Sequence, residues 1–325
     1  MTQTEAASRS GMTPYNRWTG RKDSTFENIE IPEELGPIEI KVTDGLVKQY
    51  AFCQDDYRSW HFDASPFGAP VGHAALLAND LYTVYYAQYD RTTLAGLHTS
   101  EELFFHAPVP VGETVTITGR FVDKYVRRGN GYVLLKAEAR DHQGNLLVTH
   151  RSSEIMRVDP GLVIGRSSAP TPDEKIVPET INARPVDKAA TAIAPGTPIV
   201  SKVKTPSQAQ ISVYSFVGEH DRNLHNDIDM ARKAGLANTI AQGLQTVGYF
   251  SELCTDFFGA SWFTSGRLKA KFILPVYCDS TLTISGKVSS QVAEGGAIRT
   301  HLEMWAKDQD GRLVSIAWAS ALHDV

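Results

Sequence analysis

The sequence contains two copies of one pattern, which limits the folds open to it. FHAPVPVGETVTITG (105–119) aligns with FILPVYCDSTLTISG (272–286) at a constant offset of 167 residues, and the same offset holds without a gap from Glu101 to about Ile155. Identical residues at matched positions include Phe105/Phe272, Pro108/Pro275, Thr114/Thr281 and Gly119/Gly286. A constant register over so long a stretch indicates an internal duplication, so we expect two similar structural units.

Each copy predicts the same order of secondary-structure elements. The segments ETVTITGRFVDKYV and STLTISGKVSSQV alternate with period two, as do GYVLLKAEARD and AIRTHLEMWAKD, and HQGN and QDGR form turns before a last strand. An apolar stretch with helical spacing precedes each set of strands, VGHAALLANDLYTVYYAQY in one copy and IAQGLQTVGYFSELCTDFF in the other. The pattern predicts an α+β fold in which each antiparallel sheet wraps around one helix.

The length of 325 residues exceeds that of a typical single domain, which agrees with duplication. We assign residues 36–158 to an N-terminal domain and residues 204–325 to a C-terminal domain. Residues 159–203 are rich in proline and small polar residues without periodicity, which indicates a linker crossing a surface. Residues 1–35 are predicted to form a poorly ordered arm.

Composition argues against several functional classes. The net charge is −5 and no dense basic block occurs, so nucleic acid is not an expected partner. The polar N-terminus lacks the apolar run of a signal peptide, and no segment has the roughly 18 apolar residues of a membrane span, which predicts a cytoplasmic protein without membrane contact. The three cysteines lack CxxC spacing and are expected to be reduced thiols rather than metal ligands.

A second repeated pattern contains groups that can carry chemistry. DDYRSWHFD (55–63) and EHDRNLHND (219–227) lie 164 positions apart and superpose His61 on His225 and Asp63 on Asp227. A carboxylate and an imidazole within reach of one water can remove its proton and return one to a substrate. Loop aspartates also cap helices, and this is the favoured role for Asp63 and Asp227.

These loops, together with the segments that follow them, resemble a known family. The forms D-x-N-P-x-H-x-D and P-I-x-H-G, followed by a helix and a meander, are similar to the hot-dog fold of the MaoC-like (R)-specific enoyl-CoA hydratases. Two copies in one chain resemble the double (tandem) hot-dog members. The resemblance implies hydration of a 2-enoyl thioester, or the reverse dehydration, with loop Asp and His holding one water. It also implies a backbone N–H at the helix start that binds the thioester oxygen.

The resemblance extends to the substrate and to cofactors. It implies coenzyme A or an acyl carrier arm as the handle of a small-molecule acyl substrate, without a metal or redox cofactor. In the N-terminal copy, Asp56 and His61 fall on the motif Asp and His. PVGHAAL matches the helix opening, and Ala74 stands where glycine is usual but still offers an N–H.

The C-terminal copy departs from the family pattern in a different way. IAQGL places Gly243 at the position of the N–H donor, but ungapped alignment puts His220 on the catalytic Asp. One deletion restores Asp221 and Asn223 as D-x-N, with Asn223 expected to bind substrate, and leaves His225 in place. We favour Asp221 and His225 as the working pair, because a glycine allows the substrate to come close to the backbone. Asp56 and His61 stay open as the alternative.

Other functions and sites also stay open at this point. The disturbed motifs allow a thioesterase or isomerase, or a non-catalytic subunit that binds acyl thioesters. Basic residues on predicted strands could meet coenzyme A phosphates, although solvated strand charges are the favoured interpretation; they are Lys124, Arg127, Arg128, Arg267, Lys269 and Lys271. Because each chain already supplies a pair of hot-dog units, both a monomer and a homodimer are open.

Overall fold

The computed structural model describes residues 20–90, 96–156, 175–215 and 222–324. The N-terminal half contains β1 (Lys22–Asp23), β2 (Glu33–Lys41), α1 (Asp44–Gln54), α2 (Ala78–Thr83), β3 (Tyr89–Asp90), β4 (Gly96–Phe105), β5 (Thr114–Arg127), β6 (Asn130–Arg140) and β7 (Leu146–Met156). The C-terminal half contains β8 (Lys202–Lys204), α3 (Gln208–Tyr214), α4 (Ile228–Lys233), α5 (Gly243–Phe258), α6 (Ser261–Ser265), β9 (Arg267–Phe272), β10 (Leu282–Glu294), β11 (Ala297–Lys307) and β12 (Leu313–His323).

One ten-stranded sheet runs through both halves in the order β2-β5-β6-β7-β4-β9-β12-β11-β10-β8, with antiparallel neighbours throughout. The halves meet where β4 pairs with β9, so that each half contributes five strands. Registers repeat as well, since Glu101 lies opposite Ser152 in one half and Leu268 lies opposite Ala319 in the other. Both pairs are related by the offset of 167, and the predicted tandem hot-dog architecture is confirmed.

The central helices of the two halves differ in length. Helix α5 spans 16 residues and is buried along nearly its whole length. The matching N-terminal segment begins with a turn over residues 74–77, continues as the six-residue α2, and ends in a 3₁₀ helix over Val84–Ala87. The single long helix predicted there is therefore interrupted.

The inner face of the N-terminal sheet is polar where the C-terminal one is apolar. Buried Glu101, His150, Ser152 and Glu154 match Leu268, Ala317, Ala319 and Ala321 at the offset of 167. The Glu101 carboxylate lies 3.0 Å from His150 Nε2 and 3.1 Å from His98 Nε2. Burial raises the pKa of Glu101 to about 7 and lowers the pKa of His150 to about 3. The two repeats have thus diverged in their cores as well as in their loops.

The segment before β2 is packed against the domain, which differs from the predicted arm over residues 1–35. Phe26 and Ile29 are buried, and the Lys124 ammonium donates to the carbonyl oxygen of Phe26 at 3.0 Å. Residues 20–35 are therefore part of the N-terminal half, whereas residues 1–19 lie outside the described part of the chain. The few apolar residues in this segment have no clear period, so the sequence pattern did not show the packing.

The described part of the linker, residues 175–201, packs against the C-terminal half, first on β11 and β12 and then on the end of α5. Ile176 packs against Trp305 and Ile316, and Lys287 donates to the carbonyl oxygen of Val177 at 2.9 Å. Among the described helices, none combines the length and the apolar composition needed to cross a bilayer.

A buried lysine of the C-terminal half contacts both halves. Lys204 of β8 and Glu252 of α5 lie 2.6 Å apart, and each side chain is only 6% exposed. The same ammonium donates to the carbonyl oxygens of Gln54 and Asp55, at 2.7 and 2.9 Å. Lys204, which belongs to the C-terminal half, therefore fixes the end of α1 in the N-terminal half.

We expect Lys204→Met to lower the free energy of unfolding by about 2–4 kcal/mol, because it removes one of the two ammonium groups that pair with Glu252 and leaves the carbonyl oxygens of Gln54 and Asp55 without this donor. Urea unfolding followed by circular dichroism measures this. Lys202→Met is the matched control, since Lys202 also contacts Glu252 but its side chain is 23% exposed, and we expect a loss of at most about 1 kcal/mol. Equal losses in the two variants would contradict the structural role of Lys204.

Candidate active site

The end of α1 places Asp56 at the boundary between the halves. Asp55 adopts a left-handed conformation with φ of 50°, which aspartate tolerates, and the Asp56 N–H donates to Ala51 O at 3.1 Å. Asp56 Oδ1 then accepts the N–H of Arg58 at 3.3 Å. The carboxylate is only 8% exposed, and its second oxygen, Oδ2, points to two histidines.

His61 lies in a short 3₁₀ helix over Ser59–His61 and is buried. Its Nδ1 is 2.8 Å from the carbonyl oxygen of Val71, so Nδ1 carries the proton and Nε2 presents a lone pair. The C-terminal copy repeats this contact, because His225 Nδ1 lies 2.7 Å from Ile240 O. The two matched histidines of the sequence thus have matched orientations.

His61 Nε2 and Asp56 Oδ2 are 3.9 Å apart. Both atoms are hydrogen-bond acceptors, and the separation is too long for a direct hydrogen bond. Burial lowers the pKa of His61, which favours its neutral form. A donor with two O–H groups, such as one water, satisfies both acceptors at this separation.

His73 completes this cluster, although the sequence singled it out only as part of the helix opening. Its ring stacks on that of His61 with centroids 3.5 Å apart, and its Nε2 donates to the main-chain oxygen of Asp56 at 2.9 Å. Burial, followed by the neighbouring His61, lowers the pKa of His73 to about 3. His73 is therefore neutral, and its Nδ1 is an acceptor that has no partner among the described residues.

The same three side chains have the composition of a metal site. Donors around zinc at about 2.0–2.1 Å lie roughly 3.0–3.4 Å apart in a tetrahedron. Here Asp56 Oδ2 lies 3.8–3.9 Å from the histidine Nε2 atoms, and His73 Nε2 already donates to a carbonyl. The stacked rings also fail to converge on one point. The arrangement fits a bridging water better than a metal ion.

Two consecutive alanines also line this pocket. Ala74 and Ala75 line it, and neither N–H has an acceptor in the part of the chain that the structure describes. The opposite wall comes from α5 of the other half, through Gly248, Ser251, Glu252 and Thr255. The predicted donor Ala74 is thus beside Asp56 and His61, at the start of a turn rather than of a helix.

The C-terminal copy has a different environment. Asp221 lies outside the described residues, so its pairing with His225 stays a prediction. Burial lowers the pKa of His225 to about 4, and no acidic partner is found for it among the described residues. Asn223, predicted to bind substrate, accepts the N–H of His225 at 2.8 Å and so shapes the loop.

Gly243 makes room for a side chain of the protein itself. A Cβ atom at Gly243 would lie 2.8 Å from atoms of the Phe272 ring. The Phe272 ring therefore occupies space beside Gly243 into which a substrate was predicted to approach. Glycine at position 243 is thus explained by packing against Phe272, a contact that the spacing of residues along the sequence does not show.

The remaining predictions can be placed briefly. Asp227 accepts the N–H groups of Asp229 and Met230 and caps α4, as predicted, whereas Asp63 is exposed and is not an observed cap in the described chain. The three cysteines are free thiols. Several of the basic residues considered for coenzyme A already have protein contacts; these are Lys269 with Glu102, Arg267 with Glu294, and Lys124 with the carbonyl of Phe26.

We expect His61 and His73 to stay neutral in mildly acidic solution, because burial lowers both pKa values. Two-dimensional ¹⁵N–¹H NMR of labelled protein distinguishes the tautomers and follows each ring with pH. We expect His61 protonated on Nδ1 and His73 on Nε2, with His73 unchanged down to pH 5. A His73 midpoint near 6.5 would contradict the buried cluster, and exposed His142 is the internal control for an accessible ring.

Comparisons with known proteins agree with this architecture. Residues 188–303 match the family model described as MaoC like domain, whereas no curated protein sequence matches the chain. A putative MaoC domain protein dehydratase from Chloroflexus aurantiacus is similar in structure, with 12% identity, a TM-score of 0.69, and coverage of 95% of this chain and 99% of that one. A MaoC-like dehydratase from Phytophthora capsici has 14% identity and a TM-score of 0.65, covering 92% and 98%.

A third solved structure, Rv0216 from Mycobacterium tuberculosis, is described as having a double hotdog fold. It has 14% identity to this chain and a TM-score of 0.63, with coverage of 92% of this chain and 98% of that one. At these identities the likeness concerns the fold, and the family match concerns the C-terminal half. The chain has the double hot-dog fold, and its residues 188–303 match the MaoC like domain.

Proposed function

We propose that the protein hydrates a 2-enoyl thioester, or dehydrates the corresponding 3-hydroxyacyl thioester, and that the N-terminal copy holds the working site. The observation that carries this proposal is the pair of buried acceptors, His61 Nε2 and Asp56 Oδ2, at 3.9 Å. Two acceptors at this distance hold a water by both of its O–H groups and leave its oxygen lone pairs for a substrate. This is the requirement for adding water to a double bond.

The reaction uses each member of the site at a stated atom. As the water oxygen bonds to C3 of the enoyl group, Asp56 accepts one proton and His61 Nε2 orients the other O–H. The electron pair of the double bond moves toward the thioester, and the N–H of Ala74 stabilises the charge on its oxygen. Asp56 then delivers the proton to C2, so that one water has been added across C2 and C3. Dehydration follows the same steps in reverse.

His73 acts as a positioning residue in this scheme. It donates to the backbone oxygen of Asp56 and stacks on His61, so one ring fixes both groups. Its lowered pKa keeps it neutral beside His61. A charged ring at this position would compete with the water for the Asp56 carboxylate.

We place the reaction in the N-terminal copy rather than in the C-terminal copy favoured by the sequence. Asp56, His61 and Ala74 line one pocket, whereas in the C-terminal copy the Phe272 ring packs against Gly243. The wall of α5 contributes to the N-terminal pocket, so the C-terminal domain would act as its second half. Coenzyme A or an acyl carrier arm would be the substrate's handle, and no resident cofactor enters the scheme.

We expect Asp56→Asn and His61→Ala each to lower kcat/KM for crotonyl-CoA by about 10²–10⁴, because each change removes a group that holds the water. Loss of the conjugated thioester absorbance measures the rate. His225→Ala is the matched control, since it removes the corresponding histidine of the other copy, and we expect activity within about threefold of wild type. Circular dichroism of each variant verifies folding.

Loss of activity in His225→Ala with retention in His61→Ala would reverse the choice of copy. Release of free coenzyme A thiol, followed in the same reactions, separates hydration from thioester hydrolysis. A folded wild-type protein that binds these thioesters but leaves both absorbance and thiol unchanged would contradict the proposed catalysis and support a binding subunit.

A further inference from the structure

The wall of the N-terminal pocket carries buried polar atoms that the water-holding groups do not use. Tyr50 and Gln54 of α1 line the pocket together with Asp56 and His61. Gln54 is 1% exposed and Tyr50 is 8% exposed. The Tyr50 hydroxyl, both amide atoms of Gln54 and His73 Nδ1 have no hydrogen-bond partner among the described residues.

Burial of such groups without partners is costly, at about 1–3 kcal/mol for each one. The Gln54 amide lies against Gly248 of α5, where a Cβ atom would fall 2.6 Å from Gln54 Nε2. The absence of a side chain at Gly248 thus leaves room for an unpaired amide in the wall of the pocket.

The chemistry of these atoms defines a complementary ligand. His73 Nδ1 can only accept a hydrogen bond, because its Nε2 carries the proton that binds Asp56 O. Gln54 and Tyr50 can each donate and accept. A group that both donates and accepts therefore satisfies the set, as a hydroxyl or a carboxamide does.

The charges nearby argue for a neutral group. The pocket is lined by the carboxylates of Asp56 and Glu252, and the ammonium of Lys204 is already paired with Glu252. Arg58 is paired with Asp256. A substrate carboxylate in this pocket would face two acidic side chains without a free cation among the groups described here.

We propose that the acyl group of the substrate carries a neutral hydroxyl or carboxamide, which binds Gln54 and Tyr50 beside the reacting carbons. This inference rests on the proposed function, because it assigns a substrate class to the same pocket. It differs from a simple alkyl chain, which would leave these polar atoms unpaired. Discrimination against an analogue without the hydroxyl then follows from the buried groups.

Matched pairs of thioesters test this directly. The 4-hydroxybut-2-enoyl and pent-2-enoyl thioesters of coenzyme A differ by a hydroxyl in place of a methyl group, and 5-hydroxypent-2-enoyl and hex-2-enoyl thioesters repeat the comparison one carbon further out. We expect kcat/KM to favour the hydroxylated member of at least one pair by about tenfold or more. A preference of wild type for the methyl member in both pairs, or equal rates, would overturn the inference.

Variants locate the effect at the polar wall. Gln54→Leu and Gly248→Ala should each lower the hydroxyl-to-methyl ratio by about tenfold, since the first removes the amide and the second displaces it. Exposed Gln143→Leu is the control substitution and should keep the wild-type ratio. If both variants keep the wild-type hydroxyl-to-methyl ratio, the Gln54 amide does not recognise the substrate hydroxyl.

Binding separates this inference from the proposed reaction. Isothermal titration calorimetry with the saturated 4-hydroxybutyryl and pentanoyl thioesters, which cannot be hydrated, measures the preference for the hydroxyl group as a ratio of dissociation constants, without turnover. If the enoyl thioesters are not converted but the hydroxylated ligand binds at least tenfold more tightly, the reaction is wrong and the polar subsite stands. If conversion occurs and binding favours pentanoyl or shows no preference, the subsite is wrong and the reaction stands.

Discussion

The ion pair between Lys204 and Glu252 is the interaction on which the site depends. It belongs entirely to the C-terminal half, yet the same lysine holds the last carbonyl oxygens of α1, directly before Asp56. Both side chains are buried, so the Lys204 ammonium without Glu252 would be an uncompensated charge in the interior. The pair thereby connects the position of the N-terminal carboxylate to the packing of the C-terminal helix. Neither half would hold this pocket alone.

Duplication followed by divergence explains the contrast between the two copies. Both keep a histidine whose Nδ1 donates to the carbonyl of the strand-like residue before the helix, Val71 in one half and Ile240 in the other. Around this shared element the N-terminal half has polar groups on its inner sheet face and an interrupted helix. The C-terminal half has a continuous helix and an apolar inner face, and its α5 forms one wall of the pocket of the N-terminal half.

Much of the fold could be predicted from the sequence, because the offset of 167 indicates two similar units with matching strands, and the paired positions of the two halves keep this offset. The matched histidines were found through the second repeat, at an offset of 164, and Asp56 through the resemblance to the family motif. His73 was overlooked as a site residue because its role depends on stacking against His61, which spacing along the chain does not show. Gln54 and Glu252 come from α1 and from the other half, and only the packing of α1 on α5 brings them to Asp56.

The packing role of Gly243 could not be predicted from the sequence, since the Phe272 ring that contacts it is 29 positions away along the chain. A glycine at a helix start has several uses, and the sequence favoured the catalytic one. The packing of residues 20–35 was missed because its few apolar residues lack a period. In each case a long-range contact decided the outcome.

A crystal structure of the Asp56→Asn variant with a bound 3-hydroxyacyl-CoA tests the central claim most directly. We expect the 3-hydroxyl group between residue 56 and His61 Nε2, with the thioester oxygen at the N–H of Ala74. A substrate bound instead beside His225, with Phe272 moved away from Gly243, would contradict the assignment to the N-terminal copy.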